Sequence, residues 1–160
     1  RYVFIELPDC FCYSIYSLIW YFNSLSGTFK INTIMNLLVH KHLLVRAEVK
    51  APIVNKNKAI KFLRTLIKAI NMKAMYGPTA SYCKMKGNRG VTAFAIIETS
   101  HIAMHIWDEV DPALVQLDVY SCAEMDPHKV IEIIKQELDT VKIEYKFLDR
   151  EHDFKEITLT

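Results

Sequence analysis

The chain of 160 residues is 51% hydrophobic and 24% charged, the balance of a soluble globular domain rather than a disordered tail. Its 20 basic and 18 acidic side chains are mixed along the sequence for a net charge of +2, so no basic stripe suggests a nucleic-acid partner. A chain of this length folds as one domain with a real core.

The first 34 residues stand apart. The chain opens on Arg1, and the apolar run CFCYSIYSLIWYF (Cys10 to Phe22) is shorter than the ~20 residues a membrane helix needs. It also lacks the basic start and small-residue cleavage site of a signal peptide, so no membrane partner is expected. Residues 1–34 read as an upstream extension to a domain of residues 35–160, either foreign to it or a helix packed on it. No function is assigned to them.

From Met35 the elements follow in order. His42 to Val49, HLLVRAEV, has the β-branched content and length of a strand, broken at Pro52. From Lys56, the residues Ile60, Leu63, Ile67 and Ile70 recur at helical spacing with lysines opposite, which predicts an amphipathic helix. Met72 to Tyr76 predicts a short strand closed by Gly77-Pro78, and another near Tyr82 leads to the turn Lys-Gly-Asn-Arg-Gly at 86–90. Three strands follow closely: 91–98 (VTAFAIIE), His101 to Trp107, and Leu114 to Tyr120, with Asp111-Pro112 turning between the last two. Asp126 is the expected N-cap of a second helix with Pro127 in its first turn and an apolar face of Val130, Ile131, Ile133, Ile134 and Leu138. Residues 142–149, KIEYKFLD, alternate as a half-exposed strand. The order β-α-β-β-β-β-β-α-β, without long crossovers between the central strands, predicts an α+β fold. Its form is an αβ sandwich with a mostly antiparallel sheet and helices on one face. The cysteines Cys10, Cys12, Cys83 and Cys122 form no CxxC pair and read as reduced thiols of a cytoplasmic protein.

One stretch, IIETSHIAMHIW at 96–107, puts Glu98, Thr99, Ser100, His101 and His105 into what otherwise looks like buried strand. Burying such groups without partners costs a few kcal/mol each. Strand alternation puts His101, Ala103, His105, Trp107 and Glu109 on one parity, and Asp118, Tyr120 and Cys122 share a parity on the next strand. Pairing through the turn at 108–113 would bring His105 near Cys122. Several chemistries fit. A zinc site would use His101, His105 and Cys122, although the spacing matches no compact zinc motif. A Cys-His nucleophile pair is equally open, and a hydrogen-bonded set of core histidines with a structural cysteine needs no chemistry at all.

Another possibility uses Ser100. A serine hydroxyl held against its preceding carbonyl can convert that amide to an ester, and β-elimination then cuts the chain. The dehydroalanine left behind hydrolyses to a pyruvoyl group, which can form a Schiff base with an amine substrate and accept electrons in decarboxylation. Such a site needs a constrained serine, a hydroxyl and an imidazole to move protons, and a later proton donor. Ser100, Thr92, His105 and Cys122 supply these parts.

Residues 90–122, GVTAFAIIETSHIAMHIWDEVDPALVQLDVYSC, resemble the S-adenosylmethionine decarboxylase proenzymes in their short prokaryotic, or phage-like, branch. The match runs through Ser100-His101, His105-Ile106-Trp107-Asp108-Glu109 and Asp118-Val119-Tyr120-Ser121-Cys122, then the Asp126-Pro127 helix start. His42-Leu43-Leu44-Val45 looks like that family's first strand, and the resemblance covers about Met35 to Arg150. It implies self-cleavage between Thr99 and Ser100 of a zymogen, with Ser100 becoming the pyruvoyl cofactor. It further implies His105 and Thr92 for processing, Cys122 as proton donor, and Trp107 and Glu109 at the substrate, with no metal. The substrate implied is S-adenosylmethionine, decarboxylated for spermidine biosynthesis, in a homodimer whose sheets pair into four αββα layers. Such a dimer would bury VTAFAII on both faces. Two departures stand out: Thr99 replaces the usual Glu before the serine, and Cys83-Lys84-Met85-Lys86 offers no ring to stack adenine. Members of this family that decarboxylate L-ornithine or L-arginine make a basic amino acid the alternative substrate. A non-catalytic interaction domain is the alternative from another class.

Overall fold

The structure, a computed structural model, describes residues 39–159, so the expected extension at 1–34 lies outside the described residues. The elements are β1 (Lys41–Val49), α1 (Lys56–Ala69), β2 (Ala74–Cys83), β3 (Gly90–Ile97), β4 (Ser100–Trp107), β5 (Ala113–Ser121), α2 (Pro127–Glu137), β6 (Thr140–Asp149) and β7 (Lys155–Glu156). All strands join one antiparallel sheet in the order β2-β3-β4-β5-β1-β6-β7. The first strand therefore sits between β5 and β6.

Strand alternation builds the core. Leu43, Val45, Ala47 and Val49 of β1, Val91, Ala93, Ala95 and Ile97 of β3, and Ile102, Met104 and Ile106 of β4 are all buried. They form one cluster with Phe62, Leu63 and Leu66 of α1 and Val130 and Ile134 of α2. Both helices thus cover the same face of the sheet, and each buried aliphatic side chain contributes about 1.5–3 kcal/mol through water exclusion. The helix starts follow their caps. The Asn55 side chain accepts the N–H groups of Asn57 and Lys58 at 2.8 and 3.2 Å. Asp126 caps α2 as expected, accepting His128 N–H at 3.0 Å, with Pro127 at the first position.

The two short strands expected at Met72–Tyr76 and near Tyr82 are one strand, β2. It stays paired with β3 across register shifts on either side of Tyr76, where Gly77-Pro78 falls. A terminal strand, β7, was not foreseen; it is two residues long and carries no apolar pattern.

The face of the sheet away from the helices is open in the single chain. On β3, Thr92, Phe94 and Ile96 alternate outward, with Phe94 and Ile96 41% and 44% exposed, so VTAFAII is covered on one face only. His101, Ala103, His105 and Trp107 of β4 lie between the buried positions and share that outer face. At Gly90, where β3 begins opposite Trp107, the backbones approach so closely that a Cβ would lie 1.8 Å from the Ile106 carbonyl oxygen, and φ is +154°. Only glycine fits there.

Candidate active site

The candidate residues fall into two groups at opposite ends of β4. At its start, Glu98 and Thr99 make a two-residue turn, and Ser100 pairs back with Ile97 on β3 and across with Ser121 on β5. Ser100 has φ +142°, a conformation that costs a non-glycine residue of order 1–3 kcal/mol and persists only where the surroundings hold it. Those surroundings are visible. Glu98 N–H donates to Lys73 O at 3.0 Å, Cys122 N–H donates to Thr99 O at 2.7 Å, and Thr99 Oγ1 donates to Met72 Sδ at 3.2 Å. The chain after Cys122 is fixed by buried Ser121, whose hydroxyl donates to Ala123 O at 2.8 Å and accepts Ala123 N–H at 3.0 Å. His101 Nδ1 lies 3.4 Å from Ser100 Oγ. A cleft of about 450 Å³ opens beside this turn, lined by Met72, Lys73, Glu98, Thr99, Glu124 and Asp126 among others.

The Thr99 carbonyl is thus the acceptor of a short backbone hydrogen bond and adjoins a strained serine. If Ser100 Oγ adds to that carbon, the oxygen gaining negative charge is the one the Cys122 N–H already holds. A preorganised donor at a developing oxyanion is the strongest kind of electrostatic assistance a protein offers.

At the far end of β4, His105 pairs with Thr92 on β3 and Gln116 on β5. Its Nδ1 is 3.1 Å from Thr92 Oγ1, and its ring stacks on Trp107 at 5.6 Å between centroids, 27° from parallel. Trp107 Nε1 donates to Asn88 Oδ1 at 2.8 Å, and Glu109 Oε2 accepts Arg89 N–H at 3.1 Å. Asp108 anchors the corner. Its carboxylate accepts Arg89 Nε at 2.6 Å and Tyr82 OH at 2.7 Å, and its carbonyl accepts Arg89 Nη2 at 3.0 Å. Burial opposes its charge, yet the Arg89 and Tyr82 hydrogen bonds outweigh that and keep the carboxyl below its usual range. The same hydrogen bond to Asp108, reinforced by burial, raises the Tyr82 phenol.

The two groups do not meet within one chain. Five residue steps along the strand separate Ser100 from His105, about 17 Å at roughly 3.4 Å each. The expected approach of His105 to Cys122 fails for the same reason: the register sets His105 against Gln116 and leaves Cys122 beside Thr99. His101, His105 and Cys122 accordingly do not gather as a ligand set; the group of candidate ligands among the described residues is Asp149, Glu151 and His152 on the β6–β7 connection. Neither Cys83 nor Cys122 is in a disulfide.

Next to the Ser100 end lies a cluster that sequence reasoning missed. Tyr120 stands opposite His42 on β1 and His101 on β4, donates or accepts a 2.8 Å hydrogen bond with His40 Nδ1, and carries the Arg150 guanidinium 4.1 Å above its ring. Burial lowers the His42 pKa, with Asp118 3.8 Å away opposing the shift and Arg150 and His101 adding to it. The shared outward parity of His42, His101 and Tyr120 was visible in the sequence, but that β1 adjoins β5 was not.

Among known proteins, the S-adenosylmethionine decarboxylase family model matches residues 41–151. The chain is 42% identical over 64 residues to an S-adenosylmethionine decarboxylase proenzyme of Pyrobaculum islandicum, covering 39% of this chain and 50% of that protein. A proenzyme of the same name from Archaeoglobus fulgidus is 28% identical over 109 residues, 68% of this chain and 91% of that protein. An arginine decarboxylase proenzyme of Aeropyrum pernix is 35% identical over 65 residues, 40% of this chain and 48% of that protein. The chain spans about half the length of the first curated relatives it matches. The crystal structure of adenosylmethionine decarboxylase from Aquifex aeolicus has the same fold, with a TM-score of 0.56 at 23% identity over 76% of this chain and 98% of that one.

Proposed function

The chain belongs to the S-adenosylmethionine decarboxylase family, and from that premise we propose that it is a self-processing, pyruvoyl-dependent decarboxylase acting on S-adenosylmethionine. The observation that carries this is the Thr99–Ser100 peptide: a serine at φ +142° whose preceding carbonyl is held by the Cys122 N–H at 2.7 Å.

The processing steps balance in atoms. Ser100 Oγ bonds to the Thr99 carbonyl carbon, the C–N bond breaks, and the nitrogen takes the hydroxyl proton, leaving an ester. Loss of the Ser100 Cα proton then expels the Thr99 carboxylate. The aminoacrylate that remains adds water and releases ammonia to give the pyruvoyl terminus. Strain at Ser100 favours the first step because cutting relieves it, and the Cys122 N–H lowers its barrier. Proton transfer falls to His105 with Thr92, a pair already hydrogen-bonded at Nδ1. The residues present fit the cofactor, since Ser100 is its source and nothing else need be bound. A pyruvoyl group supplies an electrophilic carbonyl and an electron sink for decarboxylation. Cys122, beside it in the chain's register, is the proton donor to the substrate carbon, while Trp107 and Glu109 hold the substrate.

The 17 Å gap, estimated above from strand rise, makes a second copy part of this proposal. A homodimer through the open sheet faces covers Phe94 and Ile96 and supplies His105, Thr92 and Glu109 to the partner's Ser100, forming the four αββα layers. No helix among the described residues is long and apolar enough to cross a membrane, and the cytoplasm is the proposed location.

The test is a denaturing gel with intact-mass analysis. The chain should split after Thr99, the C-terminal piece should be blocked as pyruvoyl, and Ser100→Ala should remain whole. An uncut parent would overturn the proposal in favour of a non-catalytic interaction domain. A second substrate, L-arginine or L-ornithine, is supported by the Aeropyrum pernix relative named for arginine and by the absence of a ring at 83–86. Carbon dioxide released from carboxyl-labelled S-adenosylmethionine, and not from either amino acid, decides between them.

A further inference from the structure

The turn between β2 and β3 has no part in the chemistry just described, yet it grips the residues around the processing histidine. Asn88 Oδ1 accepts the Trp107 indole N–H at 2.8 Å, and the indole stacks 5.6 Å from the His105 ring. His105 in turn reaches Thr92 Oγ1 through Nδ1 at 3.1 Å, which leaves Nε2 as the nitrogen available for proton transfer. One residue on, Arg89 N–H holds Glu109 and the Arg89 guanidinium is locked to Asp108. The base of this turn is closely packed: Gly90 pairs with Trp107, and even a Cβ there would collide with the Ile106 carbonyl.

An imidazole fixed at one edge by a single hydroxyl can still pivot about that bond. A flat partner against its face stops the pivot only if that partner is itself held. Trp107 lies at the last position of β4, and its own ring is held by the one polar atom it owns. Asn88 supplies the matching acceptor. We propose that Asn88 is a positioning residue for the His105 imidazole, acting through the Trp107 indole, so that the β2–β3 turn sets which way Nε2 points. The role of His105 in cleavage rests on the function proposed above; the Asn88–Trp107–His105 coupling does not.

Two measurements keep those apart. The first uses uncut full-length Ser100→Ala protein with nitrogen-labelled histidine and tryptophan. Replacing Asn88 with Ala should expose the Trp107 indole N–H to exchange and move the His105 ring-nitrogen shifts from one tautomer toward a mixture. Asn88→Asp, which keeps an acceptor of the same length, should restore indole protection. The His105 signals are assigned by their loss in His105→Asn. The second measurement is the self-cleavage rate in the Ser100 chain, where Asn88→Ala should slow cleavage roughly tenfold through misplacement of the imidazole, with Asn88→Asp recovering most of the rate. Unchanged His105 shifts in a folded Asn88→Ala protein would overturn the proposal, as would cleavage at the parent rate. A parent chain that never cuts, combined with the His105 shift change, would uphold the coupling and sink only the processing function.

Discussion

The two ends of β4 are built on opposite principles. At Ser100 the chain is held largely by backbone hydrogen bonds and stores conformational strain. At Trp107 the backbone is regular and side chains do the holding: an indole hydrogen bond, a ring stack and a two-sided carboxylate clamp. The difference suits the two tasks proposed for them. A bond that must break is favoured by strain that its breaking relieves, whereas a proton carrier must be rigid before and after it acts. Under the proposed function, the distance between the ends makes assembly of the site a matter between chains.

The largest effect expected is all or none: Ser100→Ala should abolish cleavage on a denaturing gel while leaving circular dichroism unchanged. Almost as large is complementation. Ser100→Ala and His105→Ala chains, each uncut alone, should yield cut His105→Ala chains when unfolded together and refolded as a mixture. Failure of mixed protein to cut would mean that His105 serves its own Ser100, and the contrast between the ends would lose its consequence. Gly90→Ala pushes a Cβ into the Ile106 carbonyl and should cost about 3 kcal/mol or more, read as a lowered urea midpoint. At the clamp, Asp108→Ala leaves Arg89 and Tyr82 without their partner. With the Asp108 side chain only 7% exposed, a loss of about 1–3 kcal/mol is expected, again from urea unfolding. The smallest effect lies outside both ends. Asp149 is lowered to about 2, first by the Glu151 N–H and then by Lys41. Its contribution is therefore full above the ordinary carboxyl value of 3.8 and is lost as pH falls toward about 2. Asp149→Asn should flatten that part of the stability profile, lowering stability slightly at neutral pH and leaving it nearly unchanged near pH 2.

Much of this fold could be read from the alternation of its strands and the caps of its helices. Asp126-Pro127 marked the start of α2 because a side-chain acceptor and a missing N–H are what a helix start requires. Val91 through Ile97 read as strand because every second residue is small or branched and apolar. Alternation, however, assigns faces and not partners. Register is set by turns, and the connection from Asp108 to Pro112 decides that His105 meets Gln116 instead of Cys122. The same limit hid the cluster at Tyr120, which depends on β1 inserting beside β5, and the Asn88–Trp107 contact, which depends on where a turn folds over.

The place of β1 in the sheet has its own consequence for a chain cut after Thr99. The upstream piece would carry β1, β2 and β3, and the downstream piece β4 to β7, yet β1 runs between β5 and β6 while β3 lies along β4. The pieces are interleaved like fingers, so parting them means opening three strand-to-strand seams at once. Once parted by denaturant, they face a second-order search in place of a tethered one, with the hairpin that once set the β3–β4 register severed. Maturation would thus divide the protein's life in two: a precursor able to fold, and a product whose persistence is governed by how slowly it comes apart.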